Sequence, residues 1–259
     1  IRINDIVVIE RAGDVIPHII SVDIDKREKN SKKFNFPVKC PSCGSKTVKE
    51  FNNLTKKEDS VRRCSSEGFE CEKVSIEKLK HFVSKEAFNI DGLGKKIVEN
   101  FWALKLIRLP QDIFSLDFDK IEKLDGWGKL SVNNLKISIE NSKSVSLQKF
   151  IYSLGIRFIG EVNAEILANE FKELEILISS SNNISLLENI DGLGPKAISS
   201  IIDFFSKDTN NETIKNLKNH LSITNVENKS FDNFFSNKHL VFTGTLSELS
   251  RDEAKYLAK

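Results

Sequence analysis

Methionine is absent from all 259 residues, and the chain opens at Ile1 within a run that reads as a strand. The expectation from both features is a fragment of a longer protein. No apolar run approaches the roughly 18 residues that a membrane-spanning helix needs. No secretory signal pattern is present either. The expected setting is the cytoplasm, away from membranes. Net charge is only +2, which does not suggest a polybasic tail, so binding to nucleic acid is expected to come from local arrangement. Cysteine is scarce. Four residues in two close pairs suit a metal in a reducing compartment better than a disulfide framework. The rest is ordinary for a soluble protein, with 29% charged and 39% apolar residues. The length allows one large domain or several small ones.

Against this plain background, one element is written four times. The copies are Ile90-Asp91-Gly92-Leu93-Gly94-Lys95, Leu124-Asp125-Gly126-Trp127-Gly128-Lys129, Leu154-Gly155-Ile156-Arg157-Phe158-Ile159-Gly160 and Ile190-Asp191-Gly192-Leu193-Gly194-Pro195-Lys196. Their last glycines fall at 94, 128, 160 and 194, at steps of 34, 32 and 34 residues. That is an internal repeat of supersecondary size. Each loop lies between apolar residues at helical spacing. Ile76, Leu79, Phe82 and Val83 precede the first copy, and Ile97, Val98, Phe101 and Leu104 follow it. The third copy has Leu147, Phe150, Ile151 and Leu154 before it, then Val162, Ile166 and Leu167. One such unit cannot bury its own apolar face, so the copies are expected to pack on one another, in two pairs.

This is the pattern of helix-hairpin-helix modules, which bind the DNA backbone. The second helix starts after the last glycine, with backbone N–H groups that lack helical acceptors and a partial positive charge. A phosphate oxygen fits there. Glycine removes the Cβ that would hold the DNA away. Lys95, Lys129 and Lys196 follow at the helix starts and can pair with phosphates. Such contacts position a protein without reading sequence. Gly92, Gly94, Gly126, Gly128, Gly155, Gly160, Gly192 and Gly194 are therefore candidate DNA-binding residues. In the third copy the glycines are five apart with Arg157 between them, so that copy is expected to grip phosphate less well or through Arg157.

Cys40-Pro41-Ser42-Cys43 has the spacing of a zinc knuckle, and Gly44 supplies a permissive turn. Cys64 follows after 20 residues and Cys71 after six more. A closed four-thiolate Zn²⁺ site with a structural role is expected from Cys40, Cys43, Cys64 and Cys71. His81 shares a helical stripe with apolar residues and reads as a packed or surface histidine, not as a ligand.

The flanks are of other kinds. Residues 1–25 read as strand, turn, strand around Arg11-Ala12-Gly13-Asp14, with Pro17 at an edge or bulge. Residues 223–236 read as an Asn/Ser-rich linker. Lys238 to Leu246 then reads as strand and turn, and Ser250 with Glu253 as a capping box. A decoy also occurs. Lys123-Leu124-Asp125-Gly126 matches the K-x-D-G of covalent nucleotidyltransferases. The repeat already accounts for it, since Leu124-Asp125-Gly126 parallels Ile90-Asp91-Gly92, and no catalytic residue is assigned to the chain.

Taken in order, these parts resemble the C-terminal portion of bacterial NAD-dependent DNA ligases. Arg11-Ala12-Gly13-Asp14-Val15-Ile16-Pro17 looks like a signature near the end of that family's OB-fold. The four cysteines look like its zinc finger. Leu79-Lys80-His81-Phe82-Val83-Ser84 with Ile90-Asp91-Gly92-Leu93-Gly94 resembles the entry to its helix-hairpin-helix domain, and Leu154-Gly155-Ile156-Arg157 its third hairpin. Thr243-Gly244-Thr245-Leu246 with Ser250-Arg251-Asp252 looks like the start of its BRCT domain.

The resemblance implies a mainly α, multidomain chain. Its parts are an OB-fold remnant with linker at 1–33, a zinc finger at 34–74 and a helix-hairpin-helix bundle at 75–222. A linker follows at 223–236, and a truncated α/β BRCT unit at 237–259. It places Arg11, Val15 and Ile16 on the surface that meets the minor groove at a nick. The family joins 5′-phosphate to 3′-hydroxyl ends in duplex DNA in replication and repair, using NAD⁺ with Mg²⁺ or Mn²⁺. Those cofactors belong to the full-length enzyme. The resemblance implies a monomer whose present residues hold nicked double-stranded DNA without sequence preference and do not ligate alone. Two other classes compete: a non-enzymatic helix-hairpin-helix module of another repair protein, and a zinc-stabilised protein scaffold.

Overall fold

A computed structural model describes residues 1–12, 16–52, 57–226 and 241. Its described residues are mainly helical, with three small two-stranded sheets.

The first sheet is an antiparallel ribbon of β1 (Val7–Ala12) and β2 (Ile16–Val22). Arg11 faces Pro17 and Ala12 faces Ile16, with a register shift between Val8 and Ile9. In a two-stranded ribbon each strand is an edge, so Pro17 costs no inner ladder bond. Val8, Ile9, Ile16, Ile19 and Ile20 are all exposed. Apolar side chains thus point outward on both faces of the ribbon. Arg27 closes the following loop through Asp5, with two hydrogen bonds of 2.7 and 2.8 Å. That guanidinium holds the Asp5 carboxyl down at about 2, below the usual carboxylate range.

The second sheet pairs β3 (Thr47–Asn52) with β4 (Lys57–Cys64), antiparallel, Thr47 opposite Cys64. The helical body follows at once. Its helices are α1 (Glu72–Phe82), α2 (Lys95–Ala103), α3 (Phe118–Glu122), α4 (Lys129–Ser142), α5 (Leu147–Ser153) and α6 (Glu161–Phe171). Then come α7 (Leu174–Ser180), α8 (Ile184–Glu188), α9 (Pro195–Phe205) and α10 (Asp208–Lys218). A 3-10 turn at Pro110–Ser115 bridges α2 to α3.

The four glycine loops join α1 to α2, α3 to α4, α5 to α6 and α8 to α9. The apolar stripes read from spacing mostly face inward: Ile76, Leu79, Phe82, Val98, Phe101, Leu147, Phe150, Ile151 and Leu167 are buried in one contiguous core. Two stripe positions do not. Leu104 caps the end of α2 and is exposed, and Val162 sits in the first turn of α6, 69% exposed. Helical spacing does not tell a buried position from the first turn, where the stripe has already left the neighbouring helix. Trp102 is buried, and Phe114 and Phe118 pack on the core from between the units.

The hairpins interlock in pairs. Between the first and second, the Phe101 and Trp127 rings lie 5.5 Å apart, and a Cβ built on Gly92 would lie 3.3 Å from Leu135 Cδ1. Between the third and fourth, a Cβ on Gly192 would come within 2.8 Å of Ile166 Cδ1, and Lys196 Nζ lies 5.5 Å from the Phe158 ring centre. The pairs meet where His81 of α1 hydrogen-bonds the Tyr152 carbonyl (2.7 Å) and packs against the Tyr152 ring, centroids 4.7 Å apart and tilted by 58°. His81 is thus a packing residue.

The third sheet straps the body. β5 (Ser144–Ser146) pairs in parallel with β6 (Ser222–Thr224), and Val226 N–H donates to the Lys172 carbonyl at 3.1 Å. Residues 223–226, read from composition as the start of a linker, are therefore tied into the helical body. Polar composition hid this because the strand is held mainly by its backbone pairing with β5, to which Thr224 Oγ1 adds a side-chain bond to the Val145 carbonyl at 3.0 Å. Lys238 to Leu246 and the Ser250/Glu253 box lie outside the described residues, Val241 excepted.

Gly192 combines a φ of +90° with the 2.8 Å approach to Ile166. Gly192→Ala is expected to lower folding stability by about 1–3 kcal/mol. Gly194→Ala, two residues on in extended backbone, should cost less than about 1 kcal/mol. Denaturant melts of both variants check this, and equal losses would contradict it.

Candidate nucleic-acid interface and metal centre

Each hairpin uses its two glycines differently. The first glycines, Gly92, Gly126, Gly155 and Gly192, all have left-handed φ, from +64° to +92°, and close the turn. In three copies the residue between the glycines (Leu93, Trp127 or Leu193) plugs inward. The second glycines, Gly94, Gly128, Gly160 and Gly194, cap α2, α4, α6 and α9 in extended backbone that any residue adopts. A Cβ on any of them would meet nothing within 4 Å. Neither conformation nor packing requires glycine there. What their lack of a Cβ provides is room for something outside the protein.

Backbone donors surround that room. The first helical bonds are Val98 N–H to Gly94 (3.0 Å), Val132 to Gly128 (3.0 Å), Ala164 to Gly160 (2.9 Å) and Ile198 to Gly194 (3.1 Å). In the first three hairpins the three N–H groups before the first bonded residue have no i−4 acceptor in their helix. In the fourth, Pro195 brings no N–H, and Ala197 already donates to Gly194 at 2.9 Å. In the second hairpin, Gly128 N–H donates to Ser131 Oγ at 3.0 Å, which fixes the turn. Lys95, Lys129 and Lys196 are exposed beside these helix starts.

The third hairpin departs, as its sequence suggested. Glu161, an acid, opens α6 where the first two hairpins have lysine. Its basic group is Arg157, whose guanidinium carbon lies 4.5 Å from the Phe158 ring centre. Partial burial pulls the Arg157 pKa below its ordinary value, but a guanidinium remains charged. Of the ribbon residues, Arg11 and Ile16 are exposed at its turn end. Val15 lies outside the described residues. Lys123 and Asp125 are exposed in the turn between α3 and α4.

The four cysteines converge. Cys40 and Cys43 flank a turn in which Gly44 N–H donates to the Cys40 carbonyl at 2.9 Å. Cys64 ends β4, and Cys71 is the buried N-cap of α1. All four sulfurs lie within 4.8 Å of one another. Cys40 Sγ is 3.9 Å from Cys71 Sγ, and Cys43 Sγ is 3.4 Å from Cys64 Sγ. A tetrahedral ion with metal–sulfur bonds of about 2.3 Å sets its sulfurs about 3.8 Å apart, so the donor set fits.

The thiols are unequal. Ser45, through hydroxyl and backbone N–H, pulls Cys43 down to about 6. The N–H groups of Cys43 and Ser42 lower Cys40. Ser66 N–H pulls Cys64 down, but burial and the other three sulfurs outweigh it and push Cys64 up to about 12. Four adjacent thiolates need a cation, which is what a divalent metal supplies. The cluster is also bolted to the helices: Lys78 Nζ donates to the Gly68 carbonyl at 2.8 Å.

Fold and turns together define a tandem helix-hairpin-helix chain carrying a four-cysteine cluster. Residues 149–214 match the family described as helix-hairpin-helix motif. Along its whole length the chain is similar to bacterial DNA ligases, as the order of its motifs suggested. It is 58% identical over 259 residues to the DNA ligase of Pelagibacter ubique, covering 99% of this chain and 38% of that protein. To the DNA ligase of a Wolbachia pipientis strain from Culex pipiens it is 44% identical, covering 100% and 39%. To that of Rickettsia prowazekii it is 42% identical, again covering 100% and 39%. The chain thus spans about two fifths of the length of these relatives. Among the described residues no helix is long and apolar enough to cross a membrane.

Metal analysis of the purified chain is expected to give about one tightly held divalent ion per chain. Cys71→Ser should release it and loosen the start of α1. Four freely titratable thiols in the native, untreated chain would contradict a metal centre.

Proposed function

We propose that these residues are the DNA-holding part of a bacterial NAD-dependent DNA ligase, which seals nicks between 5′-phosphate and 3′-hydroxyl ends. The observation that carries this reading is the set of four second glycines. Each stands at a helix start, in a conformation and a space that do not call for glycine. A phosphate fits beside such N–H groups and dipoles. Four such sites, spread over two interlocked pairs, would hold the backbone of both strands and read no base. The length-wide similarity to DNA ligases supports placing that grip in a ligase.

In this reading Gly94, Gly128, Gly160 and Gly194 approach the backbone, and Gly92, Gly126, Gly155 and Gly192 shape the turns that present them. Lys95, Lys129, Arg157 and Lys196 neutralise phosphates. Arg11, Val15 and Ile16 belong to the end of an OB-fold, residues 1–33, and face the minor groove at the nick. The two-faced apolar ribbon supports a larger β domain around it, since a lone hairpin is marginal in water. Residues 34–74 form a zinc finger in which Cys40, Cys43, Cys64 and Cys71 hold Zn²⁺. Four protein ligands leave no open position, so the ion is structural.

Residues 75–222 form the helix-hairpin-helix domain, 223–236 a linker whose first four residues are strapped to that domain, and 237–259 the start of a BRCT domain. The reading assigns no catalytic residue to these 259. NAD⁺ and Mg²⁺ or Mn²⁺ act in the whole enzyme, a cytoplasmic monomer, and this portion alone does not ligate.

Gly94→Asp and Gly128→Asp test the grip. Aspartate is a good N-cap, so α2 and α4 should keep or gain stability. The carboxylate would then face phosphate. Each variant is expected to bind nicked duplex roughly tenfold more weakly, with a salt slope shallower by about 1. Unchanged affinity in both would remove these hairpins from the DNA contact.

A further inference from the structure

We propose that the hairpin tips also carry an apolar part of the DNA contact, in which Leu130, Phe158 and Val162 rest on deoxyribose faces between gripped phosphates. This rests on the backbone-holding reading above and adds the sugar as a recognised group.

Leu130 and Val162 occupy one structural position in different hairpins. Each is the second residue of its helix, two past the second glycine, and they are 76% and 69% exposed. The same position is Lys96 in α2 and Lys196 in α9. Because the first hairpin pairs with the second and the third with the fourth, each pair shows one lysine and one aliphatic residue at this place. Singly, an exposed aliphatic side chain needs no explanation. At one repeat position in both pairs, beside open helix starts, it forms a pattern.

Phe158 adds a second, independent observation. Its φ is +61°, which is costly for a bulky side chain. Buried Ile156 and Ile159 pin the loop on either side, and Asn163 Nδ2 donates to the Phe158 carbonyl at 2.8 Å. The strained residue is thus held in place, yet its side chain is 42% exposed and not a core element. Asparagine would tolerate that backbone better. The ring lies under two cations from different hairpins, Arg157 at 4.5 Å and Lys196 at 5.5 Å from its centre.

The chemistry that matches cations flanking an apolar patch is a nucleic-acid strand. Between successive phosphates lies a deoxyribose, whose C–H face is apolar and the same for every base. Leu130, Val162 and Phe158 would bury that face without adding sequence preference.

The experiment uses the whole 259-residue chain and a labelled duplex, titrated over a salt series. Leu130→Ser, Val162→Thr and Phe158→Asn are each expected to weaken binding about three- to tenfold, as loss of partial apolar burial would. Their salt slopes should equal the parent's, because no phosphate contact is removed. Thermal melting should be unchanged for the first two and unchanged or higher for Phe158→Asn. Lys96→Ala and Lys196→Ala should instead flatten the slope by about 1. Parent-like affinity in all three apolar variants, with weakened lysine variants, overturns the sugar contact and leaves the backbone grip standing. A flattened slope in the apolar variants assigns them to phosphate and also overturns it. A parent chain that binds no duplex overturns both.

Discussion

No single hairpin in this chain can bury its own apolar face, and everything else follows from how that face is covered. Two short helices joined by a glycine turn leave a stripe of leucine, isoleucine and phenylalanine in water. The stripe is covered by a second hairpin approaching so closely that Gly192 lies against Ile166 and Gly92 against Leu135. In the first and fourth loops the first glycine therefore serves the fold twice, by its left-handed φ and by leaving room for the neighbouring hairpin. Once the pairs are locked, the second glycines and the helix starts behind them have only one side left to face, the outside.

The same constraint separates structural from functional residues. A glycine needed for φ or for packing says nothing about a ligand. Gly94, Gly128, Gly160 and Gly194 are needed for neither. Their shared position, beside backbone donors at helix starts, is one where a phosphate would fit. The cysteine cluster works at the other end of the same chain of dependence. Cys71 is both a sulfur of the cluster and the N-cap of α1, so a metal held there would fix the start of the first hairpin's leading helix.

Much of this was legible in the sequence because repetition amplifies weak signals. One Gly-x-Gly is only a turn, but four at near-constant spacing name an architecture. The four cysteines were legible from knuckle spacing and from their isolation in an otherwise cysteine-free chain. Other features were hidden for physical reasons. Val162 lay on the apolar stripe by count, yet periodicity is blind to where a helix clears its neighbour. The short strand at 222–224 was masked by polar composition, since parallel pairing with residues 144–146 is a backbone matter over a long sequence separation. The strain at Phe158 depends on a φ angle that a Gly-Ile-Arg-Phe-Ile-Gly string does not display.

The central claim is that these turns hold the DNA backbone and read no sequence. The most direct measurement is the equilibrium affinity of the chain for two nicked duplexes of unrelated sequence across a salt series. The account predicts equal affinities and a common, clearly negative slope of log K against log salt, several phosphates' worth. A flat slope, or a strong preference for one sequence, would contradict it.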